Sequence, residues 1–205
     1  QSKIIDSVGL IMLKNRRVLD LGQGEEDNGQ YETGREVFGV SGQNPLYRRS
    51  ALEEVLIPLG GRRGAAPQAR PAGELFDRDL FMYKEDVDLA WRLRLAGWRA
   101  WYEPRARAWH GRATSAVPRL NSLDILANRR SMSRFQKYHS IKNRYLVMFK
   151  NEVFSVWLLH LPRIIFYDML YFGYNLLFDF RVLGAYFAAL GRLKAQHAEI
   201  GSAHV

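Results

Sequence analysis

The hydrophobic pattern of the chain changes near residue 118, and this change restricts the available folds more than any other feature. Up to that point short apolar runs alternate with clusters of Gly, Pro, Asn and Asp, the texture of brief strands and helices joined by turns. Beyond it apolar and aromatic side chains recur at three- and four-residue spacings, the period of a helix. We therefore expect an α/β region over residues 1–118, a basic amphipathic helical region over 119–152, and apolar helices with a polar tail over 153–205. With 47% of its 205 residues hydrophobic the chain can bury a core, which excludes disorder throughout. It has no cysteine, so a disulfide scaffold, a thiolate zinc site and a thiol nucleophile are excluded, and any metal must be held by oxygen or histidine. The sequence opens on Gln1 without a basic-then-apolar leader, and the expectation is a fragment lacking a signal peptide.

Within the first region residues 4–13 read as a strand, and the polar Lys14-Asn15-Arg16-Arg17 reads as the turn to a returning strand at Val18-Leu19. Residues 22–35 read as a loop. Residues 36–40 form a short strand ending at Ser41-Gly42, where the missing side chain lets a neighbour or ligand approach the backbone. Ser50 followed by Glu53 matches a capping box and starts a helix over about 51–56. Residues 58–73, rich in Gly, Pro and Arg, form an exposed and mobile loop. Phe81-Met82-Tyr83 reads as a short buried strand leading into a helix that begins at Glu85-Asp86-Val87-Asp88 and stops at Gly97. Two more strands, over 98–102 and 106–110, flank the turn at Glu103-Pro104.

Charge is uneven. Residues 91–150 carry 14 basic and two acidic side chains, so the excess behind the net charge of +9 sits in one central block. Such a block is an electrostatic footprint for phosphate in a nucleotide, a nucleic acid or a lipid headgroup. On its helical part Phe135, Tyr138, Ile141, Tyr145 and Phe149 share one face. Between residues 153 and 190 the longest charge-free stretches, Val153 to Pro162 and Met169 to Phe178, have ten residues each. A bilayer needs about 20, so helices lying in the membrane interface fit better than spanning ones.

Chemistry concentrates at Glu85-Asp86-Val87-Asp88. Helix starts favour carboxylates through the dipole and the free N–H groups, so these acids can be caps. Three carboxylates within four residues also repel one another, which a cation, a proton or a functional role offsets. His110, between Trp109 and Gly111, reads either as a structural residue or as a metal ligand. Ser41, Gly42, Asp88, Trp91 and Arg92 are candidate substrate-binding residues. Ser41-Gly42 can equally be an ordinary strand end, and Trp91 and Arg92 can be helix core instead of a stacking and hydrogen-bonding pair. Asp77-Arg78-Asp79 falls in a turn and reads as structural.

Phe38-Gly39-Val40-Ser41-Gly42, Leu46-Tyr47-Arg48-Arg49-Ser50-Ala51-Leu52, Tyr83-Lys84-Glu85-Asp86-Val87-Asp88-Leu89-Ala90-Trp91-Arg92, Gly97-Trp98 and Trp109-His110 follow one another in a telling order. Together they resemble the C-terminal half of a family 2 glycosyltransferase, above all the rhamnosyltransferase-type branch that builds bacterial cell-surface polysaccharides. The likeness runs over residues 4–150. It implies a GT-A fold, a Rossmann-like nucleotide-binding half joined to an acceptor-binding half, of which this chain would hold the second. It implies that Asp86 is the general base for the acceptor hydroxyl and Glu85 its catalytic neighbour. It implies that His110 completes the coordination of a divalent metal, Mg or Mn, at the donor diphosphate, with inversion at the anomeric carbon. The acidic metal motif of the nucleotide-binding half would precede residue 4. The Gln-x-x-Arg-Trp string of processive synthases is absent, which implies addition of one sugar or a few.

The implied partners are a nucleotide-sugar donor, a lipid-linked or glycan acceptor, and an anionic membrane surface on the cytoplasmic side, with no nucleic acid. Two other function classes compete. Nucleic-acid binding would use the basic, aromatic stretch from Arg129 to Lys150 and leaves the apolar helices unexplained. A membrane-peripheral scaffold explains those helices and makes Glu85, Asp86 and His110 coincidences.

Overall fold

A computed structural model describes residues 3–58, 73–109, 129–130 and 132–202. The described chain divides into two compact units: residues 3–11, 20–58, 73–81 and 85–109 form one, and 12–19, 82–84, 129–130 and 132–202 the other.

In the first unit Gly, Pro or charged residues interrupt every apolar run, and the strands are correspondingly brief. β1 (Leu10–Met12) and β2 (Val18–Asp20) form a hairpin, of which residues 12–19 fall in the second unit. β3 (Arg35–Val37) pairs antiparallel with β6 (Ala100–Tyr102), Glu36 opposite Trp101. β4 (Ile57–Pro58) pairs antiparallel with β5 (Gly73–Glu74). The described residues therefore hold three two-stranded sheets in a mixed α/β arrangement. Helices α1 (Arg49–Glu54) and α2 (Glu85–Leu95) bury Ala51, Val55, Leu89 and Leu93 against one another, with Tyr47, Leu52, Leu75 and Trp98 packed around them. Gly39 permits the chain after β3 to press against α2, since a methyl group there would run into that of Ala90. Gly97, at φ 87°, ends α2 in the left-handed conformation expected of it.

Several local expectations are corrected. Residues 81–83 are not a buried strand: Phe81 is 73% exposed, and Phe81, Tyr83 and Lys84 have φ of 63°, 67° and 69°. A pleated strand needs negative φ, so α2 is entered from a left-handed loop. The capping box of Ser50 and Glu53 does not form. The N-cap of α1 is Arg48, without a side-chain cap, and the Glu53 carboxylate instead accepts from Arg49 Nε at 2.8 Å, a charged donor. Of residues 4–13 only Leu10–Met12 is strand, with an isolated bridge from Ile4 to Glu26. Residues 106–109 are irregular, and His110 lies outside the described residues. So do residues 59–72, the body of the expected mobile loop.

The second unit is helical. Ser133 and Gln136 close a capping box at the start of α3 (Arg134–Asn151), where Gln136 N donates to Ser133 Oγ at 3.2 Å and Ser133 N to Gln136 Oε1 at 2.8 Å. α4 (Phe154–Phe178) carries Pro162 in its interior; a 3₁₀ turn (Phe180–Val182) then leads into α5 (Gly184–Ser202). Ile141, Val182 and Ala185 form the core, surrounded by Tyr138, Tyr145, Tyr171 and Tyr186. The apolar face of α3 is unevenly buried. Phe135 and Phe149 are exposed, whereas Ile141, Lys142, Asn143 and Arg144 are buried in succession, as are Leu146, Val147 and Met148. Four consecutive buried residues cover the whole circumference of a helix, so the middle of α3 is enclosed on every side.

Part of the basic block is consumed internally. Lys137 Nζ meets Asp179 Oδ2 and Arg144 Nη2 meets Asp168 Oδ1, each at 2.8 Å. Arg129 Nη2 donates to Asn175 Oδ1 at 2.6 Å and its guanidinium lies 4.5 Å from the Tyr171 ring centre. As the interrupted apolar runs predict, no helix among the described residues is long and apolar enough to cross a membrane.

Candidate active site

The first turn of α2 carries Glu85, Asp86 and Asp88, where free N–H groups and the helix dipole favour carboxylates. The three acids then part company. Asp86 is half-buried; its Oδ1 accepts from Val87 N at 2.8 Å and its Oδ2 from Gly42 N at 3.3 Å. The loop after β3 is thus brought to the carboxylate by main-chain contact, and Ser41 is the half-buried residue just before it. Glu85 is half-buried, with Oε2 enclosed and without a hydrogen-bond partner among the described residues.

Asp88 turns inward and is 2% exposed. Its Oδ2 accepts from Arg92 Nε at 2.8 Å, one helical turn on. Arg92 Nη1 donates to the carbonyl of Val55, the C-cap of α1, and Nη2 to that of Leu75 at 2.6 Å. Trp91 is buried and meets Phe38 edge-on, ring centres 6.2 Å apart. The structure therefore brings Gly42 to Asp86 and commits Asp88, Trp91 and Arg92 to the interior of the first unit.

Tyr47 is a member of the site that the sequence reading did not single out. Its hydroxyl is pushed up to about 12, first by burial and then by the negative charge of Asp86. It stays protonated near neutrality and presents a neutral O–H in the neighbourhood of that carboxylate. Its signals in the sequence are its place in the Leu46–Leu52 string of the resemblance and its spacing of four from Ala51, which marks an inward position; neither indicates Asp86.

An oriented carboxylate, held through N–H donors to both oxygens yet open to solvent on one side, is suited to accept a proton from a hydroxyl group. Among the described residues no group of three or more His, Asp or Glu side chains is placed to hold a metal ion. Each Asp86 oxygen accepts one N–H group, which orients the carboxylate and leaves lone pairs free, while His110, the residue that the resemblance assigns to a metal, lies outside the described residues.

Over 73 residues the chain is 41% identical to N-acetylglucosaminyl-diphospho-decaprenol L-rhamnosyltransferase of Mycobacterium tuberculosis, in strain CDC 1551 / Oshkosh and equally in strain ATCC 25618 / H37Rv. The aligned stretch is 34% of this chain and 24% of each relative, so the chain spans about a quarter of the length of the curated relatives it matches. No protein-family model matches the chain, and no solved structure matches it. The partial likeness supports a glycosyltransferase-like relationship over a third of the chain.

Proposed function

We propose that the chain is the acceptor-binding part of an inverting glycosyltransferase of GT-A type, with Asp86 as its general base. The observation that carries this reading is the Asp86 carboxylate fixed by Val87 N and Gly42 N at the head of α2, with Tyr47 close by. In this reading the acceptor hydroxyl docks against Asp86, which takes its proton as the oxygen attacks the anomeric carbon. The bond to the nucleoside diphosphate breaks on the opposite face, and the leaving group departs with the electron pair. His110 is assigned to a divalent ion at that diphosphate, a role separate from the proton transfer.

The relatives act, by name, on a diphospho-decaprenol-linked sugar. By that likeness we assign a nucleotide-sugar donor, with a rhamnosyl group as first candidate, and a lipid-linked acceptor presented at the cytoplasmic face of a membrane. Phe154, Leu159, Phe166 and Met169 on α4, each at least 66% exposed, supply an apolar surface compatible with such an acceptor.

The test is Asp86→Asn in the full-length protein, assayed with a panel of nucleotide sugars. Loss of a general base lowers kcat by about 100-fold or more with the melting temperature unchanged. Glu85→Gln is milder. A kcat for Asp86→Asn near that of the unsubstituted protein removes the assignment.

A further inference from the structure

Three of the four residues before α2, namely Phe81, Tyr83 and Lys84, are non-glycine residues in the left-handed region. Each carries a steric penalty between Cβ and the following carbonyl, and such a run persists only where its surroundings over-determine it. One part of those surroundings is a side chain distant in sequence. Asn143 Nδ2 donates to the carbonyl of Met82 at 2.6 Å and to that of Tyr83 at 2.7 Å. A single amide group has two hydrogens, and here two successive carbonyls receive them. Asn143 is fully buried in the middle of α3, between the buried Lys142 and Arg144, so the donor has a rigid mount. These contacts lie within the second unit, to which residues 82–84 belong, and α2 begins one peptide bond later.

We propose that Asn143 is a positioning residue: by fixing the carbonyls of Met82 and Tyr83 it holds the left-handed segment from which α2 starts and so limits the local motion of the first turn that carries Asp86. This rests on the proposed role of Asp86 as the base. A polar side chain at the buried centre of a helix needs a reason, and two short hydrogen bonds to main-chain oxygens provide one. Asparagine suits the task better than its neighbours in chemistry. Aspartate has no N–H to give and would set a carboxylate against two carbonyl oxygens, while a hydroxyl has one hydrogen for two acceptors.

The experiment compares Asn143→Asp, the milder Asn143→Ser and the control Ile141→Val in the full-length protein. Ile141 is equally buried on the same helix and packs with Val182 and Ala185. Hydrogen exchange, read without substrate, should speed up about tenfold at amides 83–88 in both Asn143 variants and stay unchanged there in the control. With substrate, kcat should fall about tenfold while KM stays within about twofold, because a displaced base impairs the reaction more than binding. If Asn143→Asp does not fold, Asn143→Ser carries both readouts. Unchanged exchange at 83–88, or a kcat loss in Ile141→Val that matches the Asn143 variants at equal melting temperature, overturns the proposal. Failure of the glycosyltransferase reading would show in Asp86→Asn instead, independently of the exchange measurement.

Discussion

The two units bury arginine in different ways. In the first, Arg92 pairs with Asp88 one helical turn away, and its remaining nitrogens reach the carbonyls of Val55 and Leu75 at the ends of short elements. In the second, partners come from far along the chain. Arg144 on α3 holds Asp168 on α4 and donates to the carbonyls of Asn15 and Arg16 at 2.8 and 2.9 Å, while Arg16 itself pairs with Glu152. Short strands leave carbonyls without ladder partners, and a guanidinium fork with five donors satisfies several at once. Both units use that property. What differs is range: Arg92 finds its carboxylate within one helix, whereas Arg144 and Arg16 tie together segments more than a hundred residues apart.

Removing the long-range tie should have the largest effect. Arg144→Met leaves the half-buried Asp168 without this cation and two hairpin carbonyls without this donor, a loss of about 3 kcal/mol by urea unfolding. The pH dependence sharpens the expectation. Burial holds the Asp168 carboxyl above its usual range although Arg144 pulls the other way. A carboxyl raised on folding contributes stability that is fully present below its unfolded value, about 3.9, and is lost as pH rises through the folded one. Removing Arg144 raises the folded value further, so the variant should lose more stability at neutral pH than near pH 4. Equal losses at the two pH values would show that Arg144 acts through the carbonyls alone.

The local pair is the counterpart and should rank second. Arg92→Met strands the buried Asp88 and frees the Val55 and Leu75 carbonyls. Arg92 keeps some solvent contact, its side chain being 16% exposed, and we expect about 2–3 kcal/mol. Hydrogen exchange should quicken first in α1 and α2. A loss below about 0.5 kcal/mol would remove Arg92 from the centre of that unit and undo the parallel with Arg144.

The same contrast in range explains what the sequence disclosed. The start and stop of α2, the hairpin near residue 15 and the helical texture of the second unit are written in neighbouring residues: acids at the N-terminus, Gly97 at the C-terminus, a polar turn between apolar runs. The position of Asp86 at the head of α2 is legible for the same reason. The left-handed entry to α2 was not, because Phe81-Met82-Tyr83 has the composition of a strand and its conformation involves Asn143, some sixty residues away. Arg92 gives a second local signal: the Asp88–Arg92 spacing of four contains the intrahelical ion pair that the structure shows.

The finest comparison is between two glycines flanking the candidate site, and it carries the smallest expected effect. A Cβ at Gly39 would overlap the methyl group of Ala90, a main-chain-fixed neighbour that cannot swing away. Gly39→Ala should therefore push the strand from α2 and cost about 1–3 kcal/mol. A Cβ at Gly42 would meet the Asp86 Cβ at 3.6 Å, an ordinary van der Waals distance, and Gly42 has no positive φ to be strained by a side chain. Gly42→Ala should cost about 0.5 kcal/mol or less, with the main-chain N–H still available to Asp86. If the open edge at Gly42 is where an acceptor sugar approaches that carboxylate, the added methyl should raise the acceptor KM several-fold at nearly unchanged kcat, the pattern of lost uniform binding. An unchanged KM would leave Gly42 as a holder of Asp86 alone, and a stability loss equal to that of Gly39→Ala would show that the loop after β3 is packed more tightly than its contacts indicate.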